Sequence, residues 1–353
     1  MANILVTGAA GYIGGSVLTE FASQTTGPIK GSTLHAAVRT DEQVKAVSGP
    51  GVNAIQLDFS NQKAVTEAVL NNKIDIVVHT ASSMVHSLSE MLLNALSERR
   101  KVSGEAVYFI QTGVLTAFAD MGGWPYGQVK DSDQDIFEKE KGIGDQHPVR
   151  QTNIFIVERS KALGVTSYIL PAPSVYGRGT GQWRKLSVSI PQYIRTSMRL
   201  RTVYKFPDDG APPAAHISDL ATLYTLLVTS ILNHAAPPAN EDGYYFPIAH
   251  RIPWHATMDL IASAMHARGL VDSPAARVWP SYERAADELG LPRLYVRAMG
   301  TSTGDIVAEK PFALGWRPEW DEEAKFLGAI EQEVRDVLEV DTVKPTVFAA
   351  IMD

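Results

Sequence analysis

Cysteine is absent from this 353-residue chain. Disulfides, thiolate metal sites, cysteine nucleophiles and thiol redox chemistry are therefore excluded. No apolar run approaches the roughly 20 residues that carry a helix across a bilayer. The chain opens Met1-Ala2-Asn3 and enters an apolar run at once, without the charged and hydrophobic regions of a secretory leader. These absences set the expectation of a cytoplasmic protein with no membrane partner. Basic blocks are scarce too: the net charge is −7, and the densest basic spot, Arg99-Arg100-Lys101, follows an amphipathic stretch and reads as a solvated helix end. A nucleic-acid partner is not expected. Repeats, a Gly-x-Ser-x-Gly elbow and a Walker phosphate loop are all missing. Nine histidines invite a metal search, but the pairs His250/His255 and His79/His86 lack helix-face spacing with a nearby carboxylate. No metal is expected.

What is present is the composition of a folded chain, 45% hydrophobic and 20% charged, long enough for more than one lobe. Short apolar runs at 4–6, 34–38, 54–57, 74–79, 106–110 and 167–170 alternate with segments of helical period. In one such segment Leu88, Met91, Leu92, Ala95 and Leu96 share a helical face. Strands alternating with helices imply right-handed βαβ units, and so an α/β fold around a doubly wound parallel sheet. Beyond residue 175 the chain is less regular and richer in proline, as in Ala211-Pro212-Pro213 and Ala236-Pro237-Pro238. Residues 1–175 read as the sheet domain, with 214–250 returning to it. Residues 176–213 and 251–353 read as a smaller mixed lobe with a last helix over 321–339. The polar, acidic, glycine-bearing stretch 122–151 reads as a long loop or a lid over a site.

Thr7-Gly8-Ala9-Ala10-Gly11-Tyr12-Ile13-Gly14 follows the first strand and opens a helix. In this Rossmann-type fingerprint Gly8 permits the tight turn, Gly11 lets the backbone approach a pyrophosphate, and Gly14 lets helix and strand pack closely. The free N–H groups and positive end of the helix complete an anion cradle, here for a dinucleotide. The second strand ends in Arg39-Thr40, a cation and a hydroxyl, where an acidic residue would favour the bare ribose of NAD. A guanidinium suits a 2′-phosphate, so NADP(H) is preferred over NAD(H). The competing readings are a solvated strand-end charge at Arg39 and an opposing influence from Asp41.

The Thr-Gly-x-x-Gly-x-x-Gly spacing resembles the extended short-chain dehydrogenase/reductase group, which includes nucleotide-sugar epimerases and dihydroflavonol-type reductases. Other segments share the resemblance. Leu57-Asp58-Phe59 is similar to the segment meeting the adenine, and Thr80-Ala81-Ser82 to the fourth-strand end under the cofactor. Pro171, Ser174 and Val175 fall in the segment beside the nicotinamide. The stretches 215–221 and 314–318 are similar to the group's histidine–aspartate helix entry and its C-terminal signature. On the substrate side the resemblance implies a pocket from Ser83, Gly113, Tyr176, Trp183 and Tyr193, with residues 177–184 at its mouth; plain core is the alternative for the aromatics.

The same resemblance exposes a gap. The group delivers a proton from a Tyr-x-x-x-Lys pair, with a glutamate four residues after the lysine. Glu158 fits the glutamate, which puts Ile154 at the lysine and Arg150 at the tyrosine. The fifth-strand hydroxyl position falls on Thr112 or Gly113, so Thr112 is a candidate both for catalysis and for the cofactor. A literal Tyr126-Gly127-Gln128-Val129-Lys130 exists, in a glycine-bearing loop and well ahead of Glu158. Tyr126 and Lys130 are either proton donor and partner in a rearranged site or an accident of spacing. Arg150 is either an electrostatic clamp on a substrate or an ion-pair partner for the acidic residues at 131–140. Three functions remain open. One is an atypical NADP(H)-dependent reductase of a small, largely apolar carbonyl, enone or imine, in a setting such as secondary metabolism. Another is a redox-neutral lyase, isomerase or cyclase that keeps NADP. The third is an NADP-sensing binding protein of the NmrA-like kind. A small-molecule substrate and a monomer or homodimer are expected.

Overall fold

The computed structural model describes residues 2–144 and 147–340, so the end of the expected smaller lobe, 341–353, lies outside the described residues. The alternating pattern folds into β1 (Asn3–Thr7), β2 (Thr33–Val38), β3 (Val52–Gln56), β4 (Ile76–His79), β5 (Tyr108–Val114), the two-residue β6 (Val129–Lys130) and β7 (Thr166–Ala172). Six of these form one parallel sheet in the order β3-β2-β1-β4-β5-β7. Its central strands are buried on both faces, the reason β1 and β4 read as continuous apolar runs. The expected doubly wound α/β architecture is the observed one.

Alternate residues along each strand face opposite helix layers. On one face Ile4, Val6, Ala36, Val78 and Ile110 bury Val17 and Phe21 of helix Tyr12–Ser23 and Leu220, Leu223 and Tyr224 of helix Ile217–Leu232. On the other, Leu5, Val77 and Phe109 bury Val65, Leu92, Leu96 and Ile156 of helices Gln62–Asn71, His86–Ser103 and Pro148–Leu163. The alternation sends Thr112 the way of Ile110, and Gly113 the way of Phe109 and Gln111, toward helix Pro148–Leu163.

The remaining strands are β8 (Ser174–Tyr176), β9 (Tyr204–Lys205), β10 (Pro213–His216), β11 (His250–Arg251), β12 (Arg277–Val278) and β13 (Ile306–Val307). β11, β10 and β8 make a three-stranded sheet, and β9/β12 and β6/β13 make two small ones. Helices Ser189–Leu200, Trp254–His266, Tyr282–Leu289 and Ile330–Val340 gather a separate core around Tyr176, Tyr193, Phe206, Trp254 and Phe326. The single last helix expected over 321–339 is two, Glu323–Gly328 and Ile330–Val340, broken where glycine is a poor helix former.

The stretch 122–151 is not one loop. It holds β6, helix Ile136–Ile143 and the start of helix Pro148–Leu163, and it buries Trp124, Val129, Ile136 and Phe137 against Val157, Ile169, Tyr244 and Phe246. Asp131 fastens it: its buried carboxylate accepts from the backbone N of Phe246, Glu309 and Lys310 at 2.9, 2.7 and 3.1 Å. Farther along, Asp219 accepts from the N–H groups of Glu319 and Trp320, both at 2.9 Å, while Trp316 Nε1 donates to the Asp219 carbonyl at 2.8 Å. The two late sequence stretches that carry the family likeness thus meet each other, as a staple between helix Ile217–Leu232 and the C-terminal region.

Candidate functional site

The cradle forms where β1 turns into helix Tyr12–Ser23. Gly8 takes φ +70°, a conformation that disfavours any side chain. A Cβ there would also meet Thr80 Oγ1 at 2.8 Å and the Ala81 backbone at 2.9 Å. At Gly14 a Cβ would overlap both Thr80 Oγ1 and the Gly8 carbonyl. Gly11 N donates to Gly8 O at 2.7 Å, and no side chain caps the helix start. The first-turn N–H groups are thus left for an anion. Thr80 is tied in by its Oγ1, which donates to Thr7 O at 2.7 Å. Below it Thr7 Oγ1 and His79 Nδ1 lie 2.6 Å apart, and burial lowers the imidazole pKa to about 3, so this pair is neutral. The Ala81–Ser82 turn is fixed by Ser82 Oγ, which accepts from Met84 N and Val85 N, and by Gln111 Nε2 donating to Ser82 O at 2.9 Å. These residues form a cradle that fits a pyrophosphate.

A hollow of about 1010 Å³ opens at the ends of β2 and β3, lined by Arg39, Leu57, Asp58, Phe59 and Met91 among others. Its size and place suit an adenosine. Arg39 is exposed there, its backbone held by Gln43 Oε1 at 2.9 Å and Gln56 Nε2 at 3.1 Å. Asp58 is committed to its own turn, accepting from Ser60 N and Oγ at 2.8 and 2.7 Å, which lowers its pKa. Asp41 starts helix Asp41–Val47 behind the Thr40 cap, a local role for the charge that competed with Arg39.

The residues considered for proton transfer are scattered. Thr112 is nearly buried, and its Oγ1 lies 2.5 Å from the hydroxyl of Tyr224, on the face away from helix Pro148–Leu163. The position facing that helix is Gly113, with no hydroxyl to offer. Arg150 is 2% exposed, and its Nη2 donates to the carbonyls of Ala117 and Gly122 at 2.8 and 3.0 Å. That guanidinium anchors the turns after β5 rather than opening toward a substrate. Ile154 packs into the apolar cluster around Tyr244 and Phe246. The literal pair is split as well. Lys130 Nζ is bound to Glu309 Oε1 at 3.0 Å, while the cation over the Tyr126 ring is Lys139, at 5.9 Å. Tyr126 is 45% exposed and lies edge-on to Trp124.

The implied substrate pocket is revised in the same way. Tyr176 is buried with its hydroxyl 2.8 Å from His250 Nε2, and Tyr193 is buried against Trp254 and Phe206, so both are core of the second lobe. Trp183 is partly buried against the sheet core. Ser83 sits in the turn after β4, and Gly113 abuts Pro171 of β7. Pro171, Ser174 and Val175 fall on β7 and β8, and Gly177, just past β8, accepts from Tyr12 Oη at 2.7 Å at the start of helix Tyr12–Ser23.

Reading the sequence missed a buried polar cluster near the vacated tyrosine position. Glu140 is fully buried and accepts from Tyr244 Oη at 2.6 Å and Asn153 Nδ2 at 3.0 Å. Burial raises its pKa to about 7 against the lowering pull of these bonds and of the nearby Arg150 charge. In the sequence Glu140 stands only among the acidic residues at 131–140 offered as ion-pair partners for Arg150. Its four-residue spacing from Ile136, on the buried face of one helix, is the signal that could have found it. His147, ahead of helix Pro148–Leu163, has its pKa lowered to about 4, first by burial and then by Arg150.

Residues 4–98 match the model of the NAD dependent epimerase/dehydratase family. No curated protein sequence matches the chain. The whole chain is similar in fold to UDP-glucose 4-epimerase of Thermus thermophilus, solved with NAD (16% identity, TM-score 0.59, covering 96% of this chain and 99% of that one). It is similar to alfalfa vestitone reductase (18% identity, TM-score 0.59, 95% and 99% covered). It is also similar to the dTDP-glucose 4,6-dehydratase of Bacillus anthracis, solved with NAD (11% identity, TM-score 0.62, 95% and 97% covered). The likeness to the extended short-chain dehydrogenase/reductase group therefore rests on the first sheet-forming segment and on the fold of the whole chain.

Proposed function

We propose that this chain is an atypical NADP(H)-dependent oxidoreductase of the extended short-chain dehydrogenase/reductase type. Its substrate would be a small, largely apolar carbonyl, enone or imine, of the kind found in secondary metabolism. The observation that carries the reading is the glycine cradle, whose shape rejects a side chain at Gly8 and Gly14 and leaves the first-turn N–H groups for a pyrophosphate. A nicotinamide dinucleotide held there supplies hydride. Arg39 supports NADP over NAD, whereas the epimerase and dehydratase of similar fold were solved with NAD. With Thr112 turned toward Tyr224, the proton comes from Tyr126 or from water.

A redox-neutral lyase, isomerase or cyclase that retains NADP is the second reading. It is favoured by Arg150, Ile154 and Gly113 standing where this type of enzyme keeps its proton-transfer groups. Incubation with NADPH deuterated at the nicotinamide, together with candidate carbonyl and imine substrates, separates the readings. Deuterium in the product with loss of reduced-nicotinamide absorbance supports the reductase. Product without label or oxidation supports the redox-neutral enzyme. Tight binding of NADPH with no turnover of any candidate overturns both and leaves an NADP-sensing binding protein.

A further inference from the structure

Gly177, the first residue after β8, is held by three distant parts of the chain. Its N–H donates to Glu333 Oε1 of helix Ile330–Val340 at 2.7 Å. Its carbonyl accepts from Tyr12 Oη of helix Tyr12–Ser23, also at 2.7 Å. A Cβ on it would overlap the ring of His216, which stacks on Trp320 with centroids 4.5 Å apart. The next residue, Arg178, donates from Nη1 to Asp336 and Glu339 at 3.3 and 3.2 Å. Glu333 and Asp336 are 5% and 2% exposed, so the C-terminal helix turns two buried carboxylates toward this short stretch. A buried carboxylate is costly to desolvate, and packing alone is served better by an apolar side chain. Glu333 is there to make the bond to Gly177.

Beyond Gly177 the chain lies along the cofactor helix. Ser16 Oγ accepts from Thr180 N at 3.3 Å, and Thr19 Oγ1 donates to Thr180 O at 3.4 Å. Between these bonds the backbones touch: a Cβ on Gly181 would come within 2.9 Å of Gly15 Cα. A Cβ on Gly179 would meet the Tyr12 ring at 2.9 Å. Tyr12 is where this contact reaches the cradle. It is the first residue of the helix, behind Gly11 and without a side-chain cap, so its own N–H belongs to the first-turn set left for an anion. Its side chain meanwhile ends on Gly177. One residue therefore carries both a donor of the cradle and the anchor that fixes where that donor points. Donors held in place before the ligand arrives bind it more tightly than donors that must be ordered.

We infer that Glu333 is a positioning residue of the dinucleotide cradle: acting through Gly177, it fixes Tyr12 and with it the first turn of the cofactor helix. The inference rests on the proposed dinucleotide function and adds a residue from the far end of the chain. It makes the C-terminal helix a contributor to cofactor affinity although that helix does not form the cradle.

Calorimetric titration of the full chain with NADPH tests it without any catalytic step. Glu333→Ala is expected to weaken binding about fivefold, and Tyr12→Phe by about the same factor. Because both act through Gly177, the double variant should also be weakened about fivefold, not the roughly 25-fold of two independent effects. Glu333→Gln keeps an oxygen for Gly177 N and should stay within about twofold of the wild type. If the wild type binds no dinucleotide, the proposed function falls and this inference with it. If the wild type binds NADPH and Glu333→Ala loses only urea stability, its folded form binding as before, the dinucleotide reading stands and the role of Glu333 is overturned. Effects of the two substitutions that multiply overturn it as well. Tyr12→Phe removes a single oxygen and tests the same link from the side of the cradle. Affinity within about twofold of the wild type in that variant overturns the inference even if Glu333→Ala does not fold.

Discussion

At the scale of single residues, the cradle makes the sharpest demands. Gly14 has no room for one additional carbon, because Thr80 Oγ1 and the Gly8 carbonyl already occupy its place. Gly14→Ala is therefore expected to weaken NADPH binding about tenfold or more, roughly 1.4 kcal/mol, while circular dichroism shows the fold retained. Unchanged affinity in that variant would mean the cradle does not hold the cofactor. Arg39 is argued on charge rather than on space. Arg39→Asp should reverse the ratio of NADPH to NADH affinity, because a carboxylate repels a 2′-phosphate and accepts from a bare ribose hydroxyl. A variant that keeps its NADP preference would remove Arg39 from the cofactor assignment. Both residues were legible in the sequence, since a turn glycine and a strand-end charge act within a few residues of themselves. Thr112 was not so legible. Its identity was plain, but whether its hydroxyl faces helix Pro148–Leu163 or Tyr224 depends on strand register, and register appears only when the sheet forms.

At the scale of elements, helix Ile136–Ile143 carries a carboxyl into the interior, and pH should reveal it. Glu140 has a folded pKa of about 7 against an ordinary 4.5. A raised carboxyl contributes stability that is complete below the ordinary value and is lost as pH rises through about 7. Glu333 of helix Ile330–Val340 is raised to about 7 in the same way, so the two add. His79, His147 and His216 run the opposite way, with folded values of about 3, 4 and 4 against 6.5. Their contribution is present above 6.5 and is lost as pH falls toward those values. The histidine gain is complete at about pH 6.5 and the carboxyl loss at about 7, so these five groups together contribute most at about pH 6.5. Glu140→Gln cannot ionise, so its melting temperature should gain on the wild type between pH 5 and pH 8. A constant difference across that range would contradict an ionisable, buried Glu140. This element was read as loop because its charges dominate its composition. Its apolar residues, Ile136, Phe137 and Ile143, are too few for a periodic signal, and their partners Val157, Tyr244 and Phe246 come from distant parts of the chain. The central sheet strands, in contrast, announced themselves because both of their faces are buried.

At the scale of the whole molecule, the two lobes are joined by a few buried polar groups as well as by apolar contact. Asp219 holds the backbone of Glu319 and Trp320 while Trp316 returns to its carbonyl. Asp219→Ala leaves two part-buried N–H groups without their carboxylate partner and is expected to cost about 2 kcal/mol in urea unfolding. A cost under about 0.5 kcal/mol would show that the staple is dispensable. The architecture was visible in the sequence because alternating strands and helices permit few parallel-sheet topologies. The second lobe was visible only as irregularity, and its aromatic core, including Tyr176 and Tyr193, was open to being taken for a pocket. The dinucleotide cradle supports every functional reading, so binding at that site is the central claim. Titrating the full chain with NADPH, followed by calorimetry or nicotinamide fluorescence, tests it most directly. Saturable binding of one NADPH per chain, weakened about tenfold or more in Gly14→Ala, is the result expected. No saturable binding by the folded wild-type chain, to NADPH or to NADH, would contradict the account.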